Sequence, residues 1–472
     1  MTTKSETVNR PTAIALDLGS TRFKLGMLGA GGRLEVMDTV PAPQLTGTGL
    51  IRHGVPEDFL DAASRLLDTV ADRRPGGSPG LPLGLVCQRS TFTIWDKTTG
   101  KPLVPMISWQ DRGAADWCAE HIADEARVIK RTGLPLSPHY VGPKIAALQM
   151  GNPVLSDAVR NGKALIGTLD AWLTWHWSHA AIYQTDLTMA GRTAMADITE
   201  GEWSDELLEL YHVPRAALPE LTSTSGRNVA VAQGLRLTTS IADQASGALS
   251  VLDPNENVAL VNFGTGAFVL YPTPGPRVRR QGYLTAPIFA GATGATRFVL
   301  EGTINGAGPA LDRFAPGPTE LPRADPCADG FAIPDQTGLG SPHWRPDLGL
   351  VLSDAARRRS PSGQRRIVLE GLLFRVFEIL LDLGSGTLPD RVLISGGLVH
   401  DPAIGLGLAQ LLQCPVERLD APETTLLGAA RLAAGLNPFA DPETSRIDAT
   451  DAGTYLRDKY SRWQCWLIDR IR

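Results

Sequence analysis

A two-domain α/β protein with a cleft between its halves is the architecture this sequence predicts, and three observations predict it. The chain has 472 residues, too many for one hydrophobic core. Residues 15–27, ALDLGSTRFKLGM, read as a strand, a tight turn and a second strand. Residues 259–271, ALVNFGTGAFVLY, make the same object again about 245 residues later. One such hairpin is also the pattern of an ordinary β-turn; two of them suggest two similar halves.

In the first hairpin Ile14, Leu16 and Leu18 alternate with Ala15 and Asp17, the period of a strand. Gly19, Ser20 and Thr21 supply a turn whose backbone a ligand can approach closely and whose N–H and hydroxyl groups suit an anion. Asp17 emerges beside that turn. A carboxylate next to a phosphate cradle repels it unless a cation lies between, so Mg²⁺ is the natural third party. The second hairpin offers Gly264, Thr265 and Gly266 in the same way. Two such turns facing one cleft would grip a nucleotide from both sides.

Between and after the hairpins the elements follow in order. Residues 56–67 have the spacing of an amphipathic helix, residues 73–82 form a Pro/Gly loop, and residues 83–87 a short buried strand. Residues 88–117 read as loop and short strand, and residues 114–127 as helix. Thr168 is placed to cap a helix from Asp170, and Ser204 to cap one over 204–213 with an acidic first turn. Composition breaks over 223–237, which puts the domain boundary at residue 238. The predicted units are a polar lead-in (1–11), an N-terminal domain (12–238), a C-terminal domain (239–450) and a docked terminal helix (451–472). Within the second half, residues 297–314 read as strand and turn, 315–348 as a Pro/Gly/Asp-rich segment, 365–383 as a core helix and 424–435 as another. Ser395–Leu398 is a Gly-Gly turn between strand and helix, a third candidate phosphate site.

Composition narrows the function. Apolar residues at 43% and charged residues at 20% describe a soluble globular chain, and a net charge of −5 argues against nucleic acid or an anionic membrane as partner. There is no apolar run of about 18 residues to span a membrane, and the polar first eleven residues lack a signal peptide's apolar core. Five scattered cysteines without a CxxC pair read as free thiols of a cytoplasmic protein.

Asp243, in SIADQASGALS, follows a strand end and precedes a helix of small residues, where its carboxylate would open into the cleft. From spacing alone an N-cap is the plainer reading of that residue. Phosphoryl transfer to an alcohol asks for a held phosphoryl group, Mg²⁺ and a carboxylate that accepts the hydroxyl proton. Asp243 suits the last role and Asp17 the metal.

The segments also have a familiar order. ALDLGSTRFKLG, WQDR (109–112), GTLDAWLTW (167–175), residues 185–221, ADQASGAL, NFGTGAF, EGTINGAG, GLGSPHWRPD (338–347), ISGGLVHD and ETTLLGAARLAAG (423–435) run collinearly. In this the chain resembles the FGGY carbohydrate kinases, the family of glycerol kinase, xylulokinase, ribulokinase and gluconokinase, over roughly residues 12–436. The resemblance implies an actin-like, ribonuclease H-like two-domain ATPase fold and ATP-dependent phosphorylation of a primary hydroxyl on a small sugar or polyol. It implies Asp243 as general base and, with Asp17, a place for Mg²⁺. It implies Gly19, Ser20, Thr21 and Lys24 on the first phosphate hairpin and Gly264, Thr265 and Gly266 on the second. Gly308, Gly396, Gly397 and Asp401 fall on the nucleotide side, with Asp401 standing where the family commonly has Asn.

For the substrate, the resemblance points to Arg89, Ser90, Asp111, His139 and Asp243. Ser90 stands where glycerol kinases carry Glu, and that loss of a charged acceptor alters which hydroxylated substrates the site discriminates. A plain surface role is the alternative reading of Arg89 and His139, and Trp109 reads as a core aromatic more readily than as a stacking platform. A ketopentose or aldonate remains the alternative within the family, and a nucleotide-gated regulatory protein of the same fold the alternative outside it. A homodimer is compatible with the sequence.

Overall fold

Two mixed sheets carry the molecule, and each is built in the same order. A computed structural model describes residues 11–72, 80–253, 255–276, 278, 280–292, 294–421, 423–448 and 454–471. The lead-in before residue 11 and most of the 73–82 loop lie outside the described residues. In the first sheet Leu34–Pro41, Arg22–Gly29 and Pro11–Leu18 form an antiparallel meander. Pro82–Cys87 then joins Pro11–Leu18 in parallel, and Arg236–Ala242 joins Pro82–Cys87 in parallel. In the second sheet Thr296–Ile304, Ala267–Thr273 and Val258–Phe263 form the meander. Arg391–Ser395 and Val416–Leu419 follow in parallel. Covering helices bury both faces of such strands, so Ala13, Ile14, Ala15 and Leu16 are all fully buried.

The predicted boundary at residue 238 falls inside the strand Arg236–Ala242, whose hydrogen bonds tie it to the first sheet. The halves are also interleaved. The helix Thr424–Ala433 belongs to the second half in sequence but packs its Leu426, Ala429 and Ala430 into the first core. It lies against the helix Asp243–Val251 so closely that a Cβ on Gly428 would sit 2.3 Å from the Ser246 carbonyl oxygen. Gly84 is equally necessary on the strand beneath, where a Cβ would come 2.6 Å from the Ala429 carbonyl oxygen.

A third core is drawn mainly from residues that lie between the strands Pro82–Cys87 and Arg236–Ala242 in sequence. It forms around a four-stranded sheet of His53–Gly54, Met106–Ile107, Phe92–Asp96 and Ala164–Thr168, covered by helices that include Val141–Gly151. Several local expectations change here. The helix expected over 114–127 is two helices, Ala115–Glu120 and Glu125–Thr132, the second ended by Gly133 at φ 71°. Ser204 and Thr168 occupy N-cap positions without capping, and the Thr168 hydroxyl donates instead to Asp170 at 2.6 Å. The terminal helix, Leu456–Ile471, does dock, burying Lys459 and Trp463 against the second core. No helix among the described residues is long and apolar enough to cross a membrane.

Candidate active site

Strand register creates the site. Leu18, Cys87 and Ala242 are neighbours across three parallel strands, so the residues that follow emerge together at the carboxyl ends of those strands. The Gly19–Thr21 turn, Gln88–Arg89 and Asp243 are therefore brought side by side, with Asp17 one residue before its strand end. Asp243 is the first residue of the helix Asp243–Val251, Ala242 is its N-cap, and the carboxylate is part-exposed. The N-cap reading of Asp243 is thus replaced by one in which the side chain faces Arg89, 3.7 Å from Nε. Burial raises its pKa against the opposing pull of Arg89.

Asp17 is only 9% exposed and its Oδ1 has no hydrogen-bond partner. Burial, then the charge of Asp243, pushes its pKa up to about 7, with Lys24 acting the other way. Lys24 lies opposite Asp17 in the hairpin and donates to both oxygens of Glu423, at 2.9 and 2.8 Å. The lysine expected on a phosphate is here tied to the start of the helix Thr424–Ala433. An unsatisfied buried carboxylate oxygen beside a second carboxylate fits a hard cation. No group of three or more metal-ligating side chains occurs among the described residues, so such an ion would complete its shell with phosphate oxygens and water.

The second sheet repeats the device. Asn262 and Ser395 are register neighbours, their side chains 3.1 Å apart, so the 264–266 turn and Gly396 emerge together. Gly396 has φ 97°, and a Cβ there would strike the Phe263 carbonyl oxygen at 2.2 Å. Gly308 donates its N–H to the Thr265 carbonyl at 3.1 Å, while Thr265 itself is exposed and Gly397 faces open space. Asp401 departs from expectation. Its carboxylate caps the helix Pro402–Leu412, accepts from Thr319 N–H and Oγ1, and pairs with Arg365 at 3.6 Å. Those partners engage both oxygens of its carboxylate.

On the substrate side a chain of charged and aromatic groups leads away from Asp243. Arg89 lies 3.5 Å from Glu301, and Arg192 lies 3.5 Å from the other oxygen of Glu301. Glu301 stands on Thr296–Ile304 of the second sheet, so this cluster joins the two halves. Burial opposes ionisation of Glu301, but Arg192 and Arg89 hold its pKa below the usual range. The Arg192 guanidinium sits 5.8 Å over Tyr140, which adjoins His139, and His139 in turn adjoins Trp109 at 5.6 Å. Two expected contacts are spent elsewhere. The Ser90 hydroxyl is fully buried and donates to the Arg192 carbonyl at 2.8 Å. Asp111 accepts from the Arg52 and Gly113 N–H groups and pairs with His53 at 3.2 Å, beside a separate cavity of about 270 Å³. A cavity of about 700 Å³ between residues 198–223 and 274–298 touches none of the predicted site residues.

Sequence reasoning missed Arg192, Glu301 and Glu423. The one available signal for Glu301 was a lone acid inside an apolar strand, RFVLEGTI; the glutamate of ETTLLGA had no such mark.

Comparison with known proteins bears on the family and the fold. The model for the N-terminal domain of the FGGY family of carbohydrate kinases matches residues 12–242, and that for its C-terminal domain matches 259–435. A glycerol kinase of Methylobacterium nodulans is 31% identical over 465 residues, covering 92% of this chain and 91% of its own. Among solved structures, Plasmodium falciparum glycerol kinase with ADP superposes with a TM-score of 0.81 at 20% identity, covering 97% of this chain and 98% of that one. A xylulose kinase from Rhodospirillum rubrum gives 0.80 at 19% identity, over 97% and 99%.

Proposed function

From the premise that the chain belongs to the FGGY family of carbohydrate kinases, we propose that it transfers the γ-phosphoryl group of ATP to a primary hydroxyl of a small sugar or polyol, with Asp243 as general base. The observation that carries the assignment is the register of Leu18, Cys87 and Ala242, which delivers Asp17 and Asp243 to one sheet end. Asp243 accepts the proton of the attacking hydroxyl, and its raised pKa brings it closer to that hydroxyl as a base. Arg89 orients the acceptor and, against the effect of burial, favours the ionised form of Asp243. The 19–21 and 264–266 turns bind phosphate through backbone N–H groups. Mg²⁺ supplies charge neutralisation on the phosphates, and Asp17 with Asp243 would hold it. The Glu301 bridge between the halves keeps water out when they close, which protects ATP from hydrolysis. An enzyme that consumes ATP works where ATP is made available, so we place it in the cytoplasm.

A coupled ADP-release assay over glycerol, erythritol, xylulose, ribulose and gluconate tests the reading. Asp243→Asn is expected to lower kcat by about 10²–10⁴-fold while ATP binding persists. Near-normal turnover in that variant removes Asp243 from the base role. A ketopentose or aldonate acceptor is the second reading, favoured by the Ser90 hydroxyl being spent on the Arg192 backbone and so absent from the substrate's partners.

A further inference from the structure

The strand that presents Asp243 outruns one of its neighbours. On one side Arg236–Ala242 pairs with Pro82–Cys87 to its last residue, while on the other its pairing with Ser225–Ala230 reaches Thr239. The backbone donors beyond that point need other acceptors. The Ser240 N–H goes to the Thr224 carbonyl at 3.1 Å. The Ala242 N–H, one residue before Asp243, goes to a side chain, the Thr188 hydroxyl, at 2.9 Å. A side chain thus stands where a strand would, at the residue from which the base emerges.

Asp186 fixes that hydroxyl. Thr188 donates its one proton to Asp186 Oδ1 at 2.8 Å, and the same oxygen caps the short helix Leu187–Ala190 by accepting from the Met189 N–H at 3.0 Å. The other oxygen, Oδ2, accepts from the Thr224 hydroxyl at 2.6 Å. Thr224 in turn accepts from the Ala290 N–H at 2.9 Å and donates its own N–H to the Ala290 carbonyl at 2.8 Å. Ala290 ends the strand Leu284–Ala290, the edge of the second sheet. The two arms are alike, amide to hydroxyl and hydroxyl to carboxylate. Each hydroxyl both accepts and donates, so neither can turn without leaving a polar group unpaired. Asp186, Thr188 and Thr224 are all buried, where an unpaired group is costly. Burial raises the Asp186 pKa, while the Arg227 charge, Thr224 and Thr188 oppose it.

We propose that Thr188, held by Asp186, is a positioning residue for Asp243, and that Thr224 ties the same carboxylate to the second sheet, so that the approach of the halves helps to fix where the base stands. This rests on the kinase reading above, in which Asp243 accepts the proton of the attacking hydroxyl.

The test is kinetic and uses the full chain with an acceptor that wild type phosphorylates, drawn from glycerol, erythritol, xylulose, ribulose and gluconate. Thr188→Val nearly keeps the side-chain shape but removes the acceptor for the Ala242 N–H. It is expected to lower kcat at least about ten-fold with KM for ATP within about two-fold. Thr188→Ser, which keeps the hydroxyl, should recover kcat to within about three-fold of wild type. Because Thr188 acts through Asp243, adding Thr188→Val to Asp243→Asn should change the residual turnover by less than about two-fold. An equal loss in the Asp243→Asn background, a Ser variant as slow as the Val variant, or a folded Thr188→Val with wild-type kcat each overturns the proposal. Thr224→Val is expected to lower kcat at least about three-fold with the same pattern. Unchanged kcat there overturns the tie to the second sheet and, should Thr188→Val show no cooperative melt, the whole proposal. Near-normal turnover of Asp243→Asn is a failure of the base assignment, and wild type that phosphorylates no acceptor is a failure of the kinase reading. Either outcome removes the group that Thr188 would position.

Discussion

Asp17 shows how a single side chain can be unfavourable for stability and useful for function. Its pKa of about 7 means that the folded protein favours the protonated carboxyl, whereas the unfolded chain ionises near 3.8. The unfavourable charge is therefore absent below about pH 4 and fully present above about pH 7, so stability declines as pH rises through that window. Asp17→Asn should raise Tm at about pH 8, and the gain should shrink as pH falls and vanish only below about pH 4, where the carboxyl is neutral in the unfolded chain as well. The same proton competes with a cation for Asp17. Apparent Mg²⁺ affinity in the wild type should fall as pH drops below about 7, by up to about ten-fold per pH unit, and titration of activity against Mg²⁺ at several pH values measures it. The candidate residues were legible in the sequence because each sits at a strand end or turn, a local feature. Their availability was not. Asp111 is engaged by Arg52 and His53, and Asp401 by Thr319, 82 residues away. Neither pairing has a local signature.

At the scale of elements, helix–helix approach is set by small residues and by buried charge. Gly428 lets the helix Thr424–Ala433 lie on Asp243–Val251, and Gly428→Ala should cost about 1–3 kcal/mol by overpacking. Because Asp243 begins the displaced helix, kcat should fall in the same variant even when thermal melting shows it folded. The terminal helix is pinned by Lys459, which is fully buried and donates to Glu370 at 2.7 Å and Asp325 at 3.1 Å. Lys459→Met leaves two buried carboxylates short of a cation and should destabilise by about 3 kcal/mol, read by denaturant titration. Helix identity was legible here from periodicity, in 56–67, 365–383 and the tail. Helix ends were less so. Ser204 and Thr168 stand at N-cap positions, yet their hydroxyls do not cap, because a cap is one hydrogen bond among several that tertiary packing offers.

At the scale of the whole molecule, three ion pairs and one shared helix are among the links between the halves. Glu301 bridges Arg89 and Arg192 from across the cleft, while Lys24 and Glu423 join residues 399 apart. Glu301→Gln should raise KM for the sugar about ten-fold and leave KM for ATP within about two-fold, and it should weaken substrate-induced closure in small-angle scattering. A fragment of residues 1–242 should show no cooperative melt, since Leu426, Ala429 and Ala430 complete its core from the second half. The sequence by itself determined the two hairpins, the pair of similar halves, and the carboxylates Asp17 and Asp243, because strand alternation and glycine turns are written within a few consecutive residues. Only the tertiary structure decided where the first sheet ends, that a late helix closes the first core, and which of the polar candidates stay unengaged. Those outcomes depend on hydrogen bonds and packing between residues far apart in the chain, whose pairing no local pattern encodes.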